Sequence, residues 1–229
     1  MLNILHILGE IIIITLLSAW LNLLYLANKE ELSFPHKYPC PWQWRSAKII
    51  IYAGSLTYLL VKLFPYTTIG YGVLNTYTII NPSIYPASSA FFFVLYSSFL
   101  LTMMWSDIEQ QIIMNHQLAL FAILGLCFQL LTQPEQLALQ LITATGGGLA
   151  FLLLAILTRG GIGGGDIKLI AALGLWLKPE AMECTALGGI ILGGLLALGA
   201  IITKRKSRKD YIPYGPGFII MALFAYFLY

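Results

Sequence analysis

Charge is the scarcest ingredient of this chain. Its 229 residues hold thirteen Lys and Arg and ten Asp and Glu, 10% charged in all, where a soluble globular domain carries about 25%. That deficit excludes a water-soluble globule, and the 59% of hydrophobic residues that replace the charge specify a polytopic membrane protein. Cysteine is also scarce. Cys40, Cys127 and Cys184 share no motif spacing, so they frame neither a disulfide scaffold nor a closed zinc site. Low-complexity tails and internal repeats are missing. A formal net charge of +3 implies no nucleic-acid partner, because the basic residues gather in loops beside apolar runs. No Lys or Arg precedes the first apolar run and no small-residue cleavage site follows it, so residues 1–27 read as a retained span, not a signal peptide.

A transmembrane helix takes roughly 20 apolar residues. On that measure the spans fall near 7–27, 48–64, 86–105, 117–132, 137–157, 164–178, 184–203 and 212–229, an all-α architecture of eight helices. The sixth is the weakest, being short and opening on Asp166 and Lys168. Basic residues collect on the cytoplasmic side of span ends. With the N-terminus outside, Lys29, Lys37, Arg45, Lys48, Arg159, Lys168, Lys204, Arg205, Lys206, Arg208 and Lys209 lie inside, and only Lys62 and Lys178 outside. Eleven against two favours eight crossings. If the sixth span did not cross, the basic cluster at 204–209 would face outward. That cluster reads as a topological anchor in contact with anionic lipid headgroups. The inner loop 28–48 holds Trp42 and Trp44, placed for the headgroup level, and the outer loop 64–86 carries no recognisable chemistry. The organisation is then an N-terminal membrane region over 1–85 and a membrane core over 86–229. Nothing in the sequence specifies an oligomeric state.

Two carboxylates stand on the inner side of this topology. Asp107 closes the third span. Asp166 follows the glycine-rich run Gly160, Gly161, Gly163, Gly164 and Gly165 and opens the sixth span. Taken alone, Asp107 is an interfacial charge, and Asp166 is an N-cap favoured by the helix dipole. The glycines ask for more, since glycine permits positive φ and close approach by another chain. An ionisable group at membrane depth is a functional-site candidate. Two aspartates on one face can share a proton, one ionised to activate water and one neutral to polarise a carbonyl, with no metal required. Lys168, two residues after Asp166, either stabilises a carboxylate or snorkels to the surface. His116 reads as an interfacial polar residue. Gly188, Gly189, Gly193 and Gly194 read as a close helix-packing stripe.

In these motifs the chain resembles the type IV prepilin peptidases of the GxGD aspartyl protease group. Gly163, Gly164, Gly165 and Asp166 fit GxGD, and Ile167, Lys168 and Leu169 continue it. Asp107 with Ile108, Glu109, Ile113, Met114 and Asn115 is similar to the family's first aspartate motif, with Met114 in place of Pro and Asn115 in place of Asp. Pro213, Tyr214, Gly215 and Pro216 are similar to its Pro-Phe-Gly-Pro element. The matches run in the family's order across residues 90–229. The resemblance implies a membrane-embedded endopeptidase that removes the short basic leader of a prepilin or pseudopilin, cutting after Gly on the cytoplasmic side of the bacterial inner membrane. It makes Asp107 and Asp166 catalytic and assigns Gly163, Gly165, Lys168, Pro213, Gly215 and Pro216 to the substrate-receiving loops. Many members also carry two Cys-x-x-Cys pairs that bind zinc, and methylate the new N-terminus with S-adenosylmethionine. Here the corresponding loop has only Cys40, with His36 nearby, short of the four ligands of a tetrahedral structural site. No zinc and no cofactor for proteolysis are expected, and the methyl transfer has the weaker footing. Two rivals stay open. A small transporter would use the aspartates as ion or proton ligands at glycine-broken helices. A presenilin-like protease shares GxGD, but it pairs that motif with a Tyr-Asp motif where this chain has Ser106 before Asp107.

Overall fold

A computed structural model describes residues 85–203 and 214–228. The spans expected over 7–27 and 48–64, the loop 28–48 with Cys40, most of the loop 64–86, the basic cluster at 204–209 and Pro213 lie outside the described residues. The chain divides into two compact units, Met1–Thr102 and Met103–Tyr229. All regular structure among the described residues is helical: α1 (Tyr85–Gln110), α2 (Asn115–Thr132), α3 (Leu137–Leu157), α4 (Gly164–Leu173), α5 (Pro179–Ile202) and α6 (Gly215–Leu228), with a single 3-10 turn at Pro134–Gln136 between α2 and α3. In the first unit the described part is the body of α1, where the Thr102 hydroxyl donates to Ser98 O at 2.7 Å and so satisfies itself within the helix.

The helices follow the hydropathy of the sequence closely. Asn115–Thr132, Pro134–Leu157 and Pro179–Ile202 are each long and apolar enough to cross a membrane. Their outward residues, among them Ile142, Leu153 and Leu157 on α3 and Leu187, Ile191 and Ile202 on α5, are large, apolar and exposed. In water such faces would aggregate. Against lipid they need no cover. The third helix runs on past the expected end at 105 to Gln110, so Asp107 sits inside its last turn.

The span expected over 164–178 is built differently. Only Gly164–Leu173 is helical, and ten residues rise about 15 Å, half of the hydrocarbon thickness. The chain then leaves the helix through Gly174–Lys178, and Gly174, Leu175, Trp176 and Leu177 are all buried. Free backbone carbonyls at that depth must find donors within the protein, and two glutamines from neighbouring helices supply them. Gln140 of α3, its amide oriented by its acceptors, donates through Nε2 to Gly174 O at 2.9 Å and Leu177 O at 2.7 Å. Gln129 of α2 donates to Leu175 O at 3.3 Å. Trp176 locks the turn against α2. Its Nε1 donates to Phe121 O at 2.9 Å, and its ring stacks on Phe121 and Phe128 with centroids 5.2 and 5.5 Å away. On the α3 side, a Cβ on Gly174 would lie 2.5 Å from Ala144 Cα, so only glycine lets the two backbones meet there. The turn and α4 together run alongside most of α2: Gly165 lies beside Ile113, just ahead of that helix, and Leu175 beside Gln129, near its far end.

The seam between α5 and α6 is the closest helix pairing. A Cβ on Gly193 would lie 2.5 Å from Tyr214 Cδ1, one on Gly189 would fall on the Phe218 ring and 2.9 Å from its Cα, and one on Gly188 would fall on the Met221 side chain. Three of the four glycines expected to pack do so. Gly194 has nothing within 4 Å of its Cβ position and stands on the open face.

Candidate active site: two buried aspartates

The local chain fixes Asp107 from two sides. Gln111 takes a φ of 57°, a left-handed conformation that commonly ends helices, and its N–H donates to Asp107 O at 2.8 Å. The neighbouring Ser106 hydroxyl donates to Ile112 O at 2.8 Å. These two bonds stop α1 one turn past Asp107 and fold residues 111–114 back toward α2. The Asp107 side chain is only 4% exposed.

Asp166 is placed by the start of α4. The N-cap is Gly163, in extended conformation at φ −69° and ψ 145°, and Asp166 is the third helical residue, where it was expected at the cap itself. Its N–H donates to Gly163 O at 3.1 Å, and its carboxylate takes the backbone N–H of Gly163. That is the returning half of a capping box, which satisfies an N–H the helix would leave orphaned. Asp166 is likewise 4% exposed. Of the glycines ahead of it only Gly160, at φ 87°, uses the left-handed freedom expected of the run, and its neighbour Arg159 shares it at φ 53°. The correction has a simple cause: the helix has already begun at Gly164, so Gly164 and Gly165 are helical. A Cβ on Gly165 would make ordinary contact with Ile113 Cβ at 3.4 Å, and one on Gly164 would meet open space.

The start of α6 brings the two acids together. Gly215 is the first residue of that helix and Pro216 the second, a position where proline's missing N–H costs nothing. A Cβ on Gly215 would fall on Asp107 Oδ2, 3.0 Å from Asp107 Cγ and 3.5 Å from Asp166 Oδ1. One point in space therefore touches both carboxylates, and aspartates 59 positions apart in sequence meet there at Gly215. Two buried carboxyl groups that meet at one point can provide acid–base chemistry.

Not every expected residue joins them. Lys168 is exposed, and its Nζ donates to Asn115 Oδ1 at 2.7 Å. It therefore ties α4 to the first residue of α2 on the face away from the buried Asp166. His116 is exposed beside it. Pro216 is buried at the entry to α6. Among the described residues no group of three or more His, Cys, Asp and Glu could hold a metal ion. The sequence reading missed Ser106 and Gln111, which carry no signal beyond their adjacency to Asp107.

Comparison with known proteins bears on this segment. Residues 93–198, which contain both aspartates, match the model of the type IV leader peptidase family. A Bacillus subtilis protein named prepilin leader peptidase/N-methyltransferase is 28% identical over 133 residues, 58% of this chain and 54% of its own length. Proteins of the same name from Aeromonas hydrophila and Neisseria gonorrhoeae are 35% identical over 99 residues and 29% over 132, covering 40% and 56% of this chain and 33% and 45% of theirs. The matched part thus spans between a third and about half of these relatives. No solved structure matches the chain.

Proposed function

We propose that this chain, whose residues 93–198 match the model of the type IV leader peptidase family, is a membrane-embedded aspartic endopeptidase with Asp107 and Asp166 as its catalytic pair. The observation that carries the reading is the convergence of both buried carboxylates on Gly215. One proton is held between them. The ionised member takes a proton from a bound water as its oxygen attacks the scissile carbonyl carbon, and the neutral member donates to the carbonyl oxygen. Collapse of the tetrahedral species passes a proton to the departing amine and restores the pair to its starting state. The titration that governs activity belongs to the two groups jointly.

The substrate is a prepilin or pseudopilin precursor, as the names of the relatives suggest for those proteins. Its apolar N-terminal helix would lie in the bilayer among the lipid-facing helices and present a short basic leader at the cytoplasmic face of the inner membrane, with cleavage after Gly. Holding the substrate by a helix remote from the scissile bond makes attack effectively intramolecular. Gly163 and Gly165 border the open side at Gly164, which suits an extended peptide entering next to Asp166. Gly215 and Pro216 lie on the other side of the two carboxylates. Proteolysis by a carboxyl pair needs no cofactor. The relatives' names also include N-methyltransferase. The segment that would carry that activity lies within 1–85, where the single Cys40 falls short of a zinc ligand set, so the reading rests on peptidase activity alone.

Cleavage of a co-expressed prepilin by the wild type, Asp107→Asn and Asp166→Asn tests this. Wild-type cleavage with both variants inserted but inactive is the expected result. A variant that cleaves normally removes its residue from the mechanism. A wild type that cuts no prepilin hands the carboxylate pair to the ion- or proton-transport reading.

A further inference from the structure

From the contacts of α6 we infer that the glycine seam between α5 and α6 is the positioning device of the carboxylate pair, and that Gly217 and Gly193 are positioning residues acting through Gly215. The inference rests on the proposed peptidase reading for its kinetic consequences, though not for its geometry.

The Cβ position of Gly215 reaches both carboxylates, so the depth at which α6 begins decides how closely it approaches them. Nothing about Gly215 itself sets that depth. It is set two residues further on, where α6 meets α5. A Cβ on Gly217 would lie 2.7 Å from Gly189 O, 2.7 Å from Gly193 N and 3.0 Å from Gly193 Cα. All three are backbone atoms of α5, so no side-chain rotation can relieve the collision. A side chain there must push α6 away, and Gly215, two residues earlier on the same rigid helix, must follow. Gly193 works through a softer partner. Its Cβ would meet the ring edge of Tyr214, at 2.5 Å from Cδ1 and 3.2 Å from Cε1, and Tyr214 is the residue just before Gly215. Along the same helix Gly189 shares this backbone contact, its Cβ position lying 2.9 Å from Phe218 Cα, whereas Gly188 meets only the Met221 side chain and Gly194 faces open space. Small residues allow close helix approach in membranes generally. Here the approach has a specific consequence, since the helix brought close carries the backbone that touches the acids.

The differences among these glycines define the test. Purified enzyme is assayed for kcat and KM on a prepilin, alongside the α5–α6 separation read by pulsed EPR between spin labels at Leu195 and Ile220, both exposed. Gly217→Ala is expected to lengthen that separation and to lower kcat about 100-fold, the scale of an ångström misplacement, with KM little changed because the substrate's own helix binds elsewhere. Gly193→Ala is expected to lower kcat as well, and Gly193→Ala combined with Tyr214→Ala to recover part of that loss, since the second change removes the struck ring. Gly194→Ala should match the wild type in both readouts. A role in stability alone would lower the yield of folded enzyme without changing kcat per folded molecule, and would give no recovery in the double variant. That result overturns the inference, as does an unchanged separation in Gly217→Ala. If the wild type cleaves nothing, the peptidase reading fails, while the spin-label distance still decides whether Gly217 sets the depth of α6.

Discussion

At the scale of single residues the site depends on a missing side chain. At Gly215 the start of α6 meets Asp107 and Asp166, and the volume of a methyl group there is already occupied by Asp107 Oδ2. Gly215→Ala therefore forces a choice. Either Asp107 rotates out of the shared space or α6 retreats, and both break the geometry on which the proposed sharing of one proton by the two carboxyl groups rests. We expect kcat to fall about 100-fold with insertion and yield preserved, because alanine is the better helix former at a first-turn position. Gly146→Ala, whose Cβ would meet nothing within 4 Å, is the matched control and should keep wild-type turnover. Wild-type turnover in Gly215→Ala would show that the close approach does not hold the acids. The two aspartates were legible in the sequence because they combine cost at membrane depth with recognisable motifs. The contact at Gly215 was not, since no local pattern says which glycine will be pressed against a side chain 108 positions away.

Among the elements, α4 shows best where sequence reasoning stopped. Hydropathy reads 164–178 as one span because Leu175, Trp176 and Leu177 are as apolar as the helix before them. Composition cannot tell a buried turn from a buried helix. The clue lay on other helices, in Gln129 and Gln140, amides with no business in an apolar span unless they meet backbone groups there. Gln140→Leu tests that account. It removes the donor to Gly174 O and Leu177 O while conserving most of the volume, leaving two buried carbonyls without that partner. A loss of about 1 to 2 kcal/mol is expected, between the cost of an orphaned buried acceptor in soluble proteins and the smaller values found in membranes, measured as unfolding free energy in detergent. An unchanged stability would mean that the turn satisfies its carbonyls by another route. By contrast α2 and α3 were legible almost to their ends, because length and apolarity decide such helices, while α5 begins at Pro179, five residues before the expected 184.

For the molecule as a whole, the open matter is how a ten-residue helix serves as a crossing. The expected bias of eleven inner against two outer basic residues favours a chain that changes sides between Arg159 and Lys178. The structure offers a way: α4 covers about 15 Å, and the turn held by Gln129, Gln140 and Trp176 continues along α2 to the level of its far end. A broken crossing of this kind is tolerated where protein, not lipid, surrounds the exposed backbone, and Gly174–Leu177 is buried throughout. The consequence can be measured from the two exposed ends. In a background with the native cysteines replaced, Thr158→Cys at the end of α3 and Glu180→Cys at the start of α5 are both exposed sites. A membrane-impermeant maleimide should label Glu180→Cys in intact cells and Thr158→Cys only after permeabilisation. Labelling of both from one side would make α4 and its turn a re-entrant hairpin. The 204–209 cluster would then lie on the outer face against the charge rule. The expected pattern instead leaves Asp166 at the cytoplasmic end of a crossing, where a substrate anchored by its own helix can reach it.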